Sequence, residues 1–103
     1  MLGDLKIGRE CRLNGSIKSH GRLDLGEGSL ARQSLVSERD IVLGAESRVE
    51  GPVLAGRRLT LGPRCVAGTR DRPTTVRGET VLLHSGATVH GTLWASRGGE
   101  AVE

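Results

Sequence analysis

Imidazole and thiol groups are the side chains most readily turned to chemistry near neutral pH. This sequence holds only five: His20, His84, His90, Cys11 and Cys65. Histidines gathered on one face would make a metal centre or a proton relay. His84 and His90 are six residues apart, and His20 is remote from both in sequence. Cysteines spaced as Cys-x-x-Cys would hold zinc or run thiol exchange, but these two are 54 residues apart. The sequence contains no phosphate-cradling glycine loop and no order of Ser, His and Asp that would build a nucleophile. It therefore predicts no catalytic, cofactor-binding or metal-binding residue, and a protein that is not an enzyme.

The elements that would position these groups follow from a repeat. Leu-Gly-type steps fall at Ile7-Gly8, Leu25-Gly26, Leu43-Gly44 and Leu61-Gly62, each 18 residues after the last, and a fifth copy at Leu83 is displaced by four. The cleanest block is Ile41 to Arg58, IVLGAESRVEGPVLAGRR, in which Ile41/Leu43, Ser47/Val49 and Val53/Ala55 form three alternating pairs. One series spaced by six runs from Leu5 through Cys11, Ile17 and Leu23 to Cys65, and a second from Ile7 through Leu13, Ser19 and Leu25 to Ala67. Neither contains a charged residue. Alternation of period two broken every six residues excludes a helical face and fits strands with one buried side.

The predicted fold is all-β: a single-stranded β-helix, or β-solenoid, of about five coils of 18 residues with three short strands each. Stacked coils need only small aliphatic side chains in a narrow core, which suits a chain with one Trp, no Phe and no Tyr. The expected boundaries are a short N-terminal tail at 1–4, the β-helix at 5–95 and a flexible polar tail at 96–103. Asp71 and Pro73 fall where core positions are due, so the extra residues are expected to bulge near Arg70 to Pro73, with Thr74 and Val76 rejoining the wall. Glycines at two corners are expected to meet a need for positive φ or close packing. Three coils separate Cys11 from Cys65, roughly 14 Å along the axis. That is too far for a disulfide, and both are expected to be slow-reacting core thiols.

Net charge is +3, with 13 Arg and 2 Lys, and Arg12, Arg48, Arg57, Arg58 and Arg64 take outward positions. Spread over a solenoid, +3 is a weak footprint for an anionic partner. With no aromatic platform for bases, specific nucleic-acid binding is not expected. No run reaches the ~18 apolar residues of a membrane span, and the chain is read as cytoplasmic. Trp94 is expected to point outward as a contact residue, in keeping with the enrichment of Trp at interfaces.

The phrases LGAESRVEGPVLAGRRLTLGPRCVAG (43–68) and HSGATVHGTLWA (84–95) resemble the bactofilin, or polymer-forming cytoskeletal, family, over about Leu5 to Ala95. The resemblance implies a right-handed β-helix that assembles without nucleotide into filaments, with itself as main partner and membrane or cell-wall-associated proteins as others. It also implies a role supporting cell shape or envelope processes. Two alternatives stand beside it. A left-handed hexapeptide-repeat acyltransferase also closes at 18 residues per coil, but needs a trimer with a His in an intersubunit cleft and usually a C-terminal helix. The other is a non-polymerising β-solenoid binding module. On the assembly reading, terminal coils leave strand edges and apolar side chains unpartnered. The expected interfaces are Leu5, Ile7, Leu13 and Ile17 at the N-terminal coil, and Val81, Leu83, Val89, Leu93 and Trp94 at the C-terminal coil.

Overall fold

Short alternating segments separated by corners fold into sixteen strands in a computed structural model that describes residues 4–95 and, for the backbone, 99–102. Coil one comprises β1 (Leu5–Ile7), β2 (Arg12–Leu13) and β3 (Ile17–Ser19); coil two, β4 (Leu23–Leu25), β5 (Leu30–Ala31) and β6 (Leu35–Ser37). Coil three comprises β7 (Ile41–Leu43), β8 (Arg48–Val49) and β9 (Val53–Ala55); coil four, β10 (Arg58–Leu61), β11 (Val66–Ala67) and β12 (Thr74–Gly78). Coil five comprises β13 (Thr80–His84), β14 (Thr88–Val89) and β15 (Gly91–Ala95), and β16 (Gly99–Val102) follows.

Every third strand stacks in parallel, giving three walls. The first has six strands, β1-β4-β7-β10-β13-β16; the second has β2-β5-β8-β11-β14, and the third β3-β6-β9-β12-β15. The described part is a β-solenoid of five coils and one strand more. Its Cα extents are 29 × 27 × 23 Å, so it is scarcely longer than it is wide.

The core is what the two six-spaced series describe. Leu23, Leu35, Ile41, Leu43, Val53, Leu59, Leu61, Cys65 and Ala67 are all at 0% exposure. Inward serines are compatible with this core because corner carbonyls lie within reach of their hydroxyls. Ser29 Oγ donates to Gly8 C=O at 2.9 Å and Ser47 Oγ to Gly44 C=O at 2.7 Å.

Corner glycines are required by stacking. A Cβ on Gly44 would lie 2.8 Å from Leu25 O, and one on Gly62 would lie 2.7 Å from Leu43 O. Neither glycine has positive φ. The left-handed residue comes two positions later in each coil, as Glu10 (φ 53), Gly28 (71), Glu46 (59), Arg64 (58) and, past the break, Gly86 (79). A non-glycine residue there costs about 1–2 kcal/mol, so three coils carry a strain that two relieve with glycine.

The break in the repeat is five residues gained and one lost. Thr69 to Pro73 leave the coil between Gly68 and Thr74, and close on themselves through Thr69 N–H to Arg72 C=O at 3.0 Å and Arg72 N–H to Thr69 Oγ1 at 2.9 Å. Thr74 and Val76 rejoin the wall as expected, at 8% and 0% exposure, with Val76 opposite Val53. The next corner is one residue short: Glu79 and Thr80 both donate to Arg57 C=O, at 2.7 and 3.1 Å. Register is thereby restored, with Leu59 opposite Val81.

The tail expected at 96–103 differs in the part that is described. Gly99–Val102 adds a parallel strand to β13, pairing Val81 with Gly99 and Leu83 with Ala101. The physical reason is the free edge of β13, whose backbone groups are satisfied by any extended segment within reach. Residues 96–98 and 103, like residues 1–3 of the expected N-terminal tail, lie outside the described residues.

Val49 is 1% exposed and sits between Ala31 and Ala67, whereas Arg48, one residue away, faces solvent. Val49→Lys places an unpaired charge in the buried core, with an expected loss of about 3–5 kcal/mol. Arg48→Ala should stay within about 0.5 kcal/mol of the parent. Urea unfolding of the two variants checks the register directly; equal midpoints would refute it.

Candidate assembly surfaces at the two terminal coils

The geometry of the ends follows from stacking. An inner residue is covered by the coil below and the coil above, and a terminal one by a single neighbour. Leu5, Ile7, Leu13 and Ile17 point inward but are only half-buried, while the residues stacked on them, Leu23, Leu25, Ala31 and Leu35, are 0 to 2% exposed. On this face the outer edges of β1, β2 and β3 carry no strand among the described residues.

At the opposite end the edge strands are β14, β15 and β16. Ala87, Val89 and Ala95 are half-buried, and Leu93 is 36% exposed although its neighbour below, Val76, is wholly buried. Two of the residues expected here are displaced from the edge. Val81 is 1% exposed and Leu83 is half-buried, because β16 stacks on β13 and moves the edge of the first wall one strand outward. Val89, Leu93, Ala87, Ala95 and the backbone edge of β16 thus lie at the C-terminal edge, with Val81 buried beneath β16 and Leu83 half-buried beneath it.

Trp94 projects outward on β15 and is 62% exposed. It sits opposite Arg77 of β12, which sits opposite Leu54 of β9, and Leu54, Thr75, Arg77 and Trp94 line a shallow groove on the third wall. The structure thus places Trp94 beside the terminal edge, facing away from the core.

The histidines are not brought together. His20 Nδ1 lies 2.8 Å from Glu38 Oε2 on the surface, and this hydrogen bond and the imidazole charge lower the Glu38 carboxyl pKa. His84 ends β13 on the first wall, and His90 follows β14 on the second. Among the described residues no three His, Cys, Asp or Glu side chains gather as a metal site. Among the described residues no helix is long and apolar enough to cross a membrane.

The cysteines differ from each other. Cys65 is fully buried, with Ser47 Oγ 3.3 Å from its sulfur; burial pushes its thiol pKa up and the Ser47 hydrogen bond partly opposes this. Cys11 occupies the same column, but it stands on the terminal coil and is half-buried. The expectation of two inert thiols therefore holds for the position of Cys65 and not for that of Cys11.

Comparison of the chain with protein-family models, with curated proteins and with solved structures found no match.

Titration with a thiol reagent at low protein concentration should label Cys11 promptly. Cys65 should react only as fast as local opening exposes it, and in denaturant the two should react alike. Equal native rates would mean that the first coil is not edge-on to solvent.

Proposed function

We propose that this protein is a structural subunit that assembles end to end, without nucleotide, into filaments or scaffolds. One observation carries the proposal: among the described residues, three strand edges at each end carry no further strand and the inward apolar side chains there are half-exposed, while one coil further in they are covered. An uncovered sheet edge is a template for another strand, and soluble proteins ordinarily blunt it with a covering element, charges or proline. Here the edge strands present Leu5, Ile7 and Leu13 at one end and Val89 and Leu93 at the other. A second copy of the chain supplies strands of the same length and spacing.

The bactofilin-like phrases at 43–68 and 84–95 support the same reading, and extend it to a scaffold that serves cell shape or envelope processes. Assembly needs no chemistry from the protein. That agrees with histidines on separate walls and a cysteine column lined by serine and alanine.

Light scattering should show the mass of the parent chain rising with concentration, with filaments or short stacks by negative-stain electron microscopy. Leu13→Lys and Val89→Lys each put a charge on a half-exposed position that a monomer tolerates and a junction would bury. Each should keep the parent's circular dichroism and stop growth at the dimer or below. A parent chain that remains monomeric at high concentration overturns the proposal.

A further inference from the structure

The corner between β2 and β3 is the one place in the chain where an amide side chain precedes a glycine. Asn14 is the sole asparagine, and Gly15 follows it. Both are exposed, as is Ser16. Among the described residues neither the Asn14 side chain nor the Gly15 N–H takes part in a hydrogen bond. The residues on either side are held: Arg32 N–H donates to Leu13 C=O at 3.0 Å, and Ile17 N–H to Ser34 C=O at 2.9 Å. The Asn14-Gly15 peptide is thus a free link between two fixed points. Nothing lies within 4 Å of where a Gly15 Cβ would stand, whereas a Cβ on Gly51, two coils on in the same column, would lie 2.5 Å from Gln33 C. The corner has room for the link to turn, and glycine has the backbone freedom to use it.

We infer that Asn14 and Gly15 form a self-modifying site, at which the asparagine is converted through a cyclic imide into an aspartyl or β-aspartyl residue, with water as the only co-reactant. Asparagine is among the thermolabile residues, because the backbone nitrogen that follows it can reach its side-chain carbonyl. The Gly15 nitrogen, as its proton leaves to hydroxide, attacks Asn14 Cγ. The Cγ–Nδ2 bond breaks and ammonia departs with a proton taken from solvent, which leaves a succinimide ring. Water then adds to one of the two ring carbonyls, and the bond from that carbon to the Gly15 nitrogen breaks. Opening at Cγ gives aspartate; opening at the main-chain carbonyl carbon leaves Gly15 joined to Cγ, a β-aspartyl link. The sum is one amide and one water exchanged for one carboxylate and one ammonium ion.

The rest of the chain is spared. No aspartate precedes a glycine, and Gln33, the only glutamine, would have to close a larger ring onto the nitrogen of Ser34. Either product changes the first coil. Leu13 pairs with Ala31, so Asn14 stands against Arg32, an exposed cation in no ion pair among the described residues. An aspartate at position 14 adds a pair of the same spacing as Arg9 with Glu27. A β-aspartyl link instead lengthens the main chain of the corner by one carbon, and so shifts Ile17 against Ser34. The change falls between Leu13 and Ile17, two residues of the proposed assembly surface, but the modification itself does not depend on assembly.

The test ages the full 103-residue chain in dilute buffer at neutral and at mildly alkaline pH, with circular dichroism showing that it stays folded. Peptide mapping by mass spectrometry reads the amide-to-carboxylate mass gain, and methyl transfer by a β-aspartyl carboxyl methyltransferase reads the β-linked product. Both signals are expected at Asn14 alone, faster at the higher pH, and at a rate in the folded chain comparable with that in urea. Gly15→Ala meets no atom of the subunit; it should keep the parent's melting midpoint and lose nearly all of both signals. A folded chain that keeps Asn14 intact while the urea-unfolded chain is converted would overturn the inference, and so would equal conversion in Gly15→Ala. The readout is covalent, so it separates the two proposals. Conversion of a chain that light scattering shows to stay monomeric at high concentration would support this inference and overturn end-to-end assembly.

Discussion

The parallel backbone ladder between coils, with each residue directly over the one 18 positions earlier, is the constraint on which the rest of the structure depends. Strands sit about 4.8 Å apart, so whatever occupies a position must fit beneath its equivalent in the next coil. Gly26, Gly44 and Gly62 are glycines because the carbonyls of the preceding coil fill the space of a Cβ. Ser29, Ser47 and Cys65 share a column because each is small, and the serines return a hydrogen bond to the corner. The same rule orders the surface: Arg9 with Glu27, His20 with Glu38 and Arg64 with Glu46 are all pairs 18 apart. Exposed, solvent-screened pairs of this kind contribute little to stability. Their effect is to let neighbouring coils carry charge in register without repulsion.

This constraint also explains what was legible in the sequence. A ladder that repeats writes its period into the chain, so the walls, the inward series, the outward arginines and the site of the excursion could all be read before any coordinates. What escaped were features that leave no periodic trace. Thr69 to Pro73 and the shortened corner at Glu79-Thr80 appear in sequence only as their difference, four, because register downstream reports the sum of the two changes. The left-handed corner was hidden because Glu10, Glu46 and Arg64 occupy it, and only Gly28 and Gly86 signal the conformation. The candidate surface was legible where it depends on the first coil. The strand that covers Val81 and Leu83 was not legible, since pairing of β16 follows from a free edge and not from the weak pattern of residues 99–102.

A solenoid of this kind has little means of building an enclosed site. Its side chains alternate between a core too narrow for a ligand and walls that diverge from one another, so groups six residues apart, such as His84 and His90, face different directions. Convergence needs an excursion long enough to fold back over a wall, and Thr69 to Pro73 is too short and is closed by its own hydrogen bonds. The strand edges left without a neighbour among the described residues are at the ends.

Stability and assembly are coupled through the same seams. In a repeat protein a single coil is unstable alone, and the favourable term is the interface between neighbours. Five coils meet at four seams within the subunit. On the proposed end-to-end assembly, joining copies would add about one seam per subunit without adding a coil, so the favourable term would grow by about a quarter while the cost of ordering each coil is unchanged. The gain would fall on Leu5, Ile7 and Leu13 at one end and Val89 and Leu93 at the other, which are among the inward apolar residues left half-buried or exposed. Association by the folded form alone stabilises that form by mass action. On the proposed end-to-end assembly, the coils with the least cover in the isolated subunit would be the ones that association reinforces.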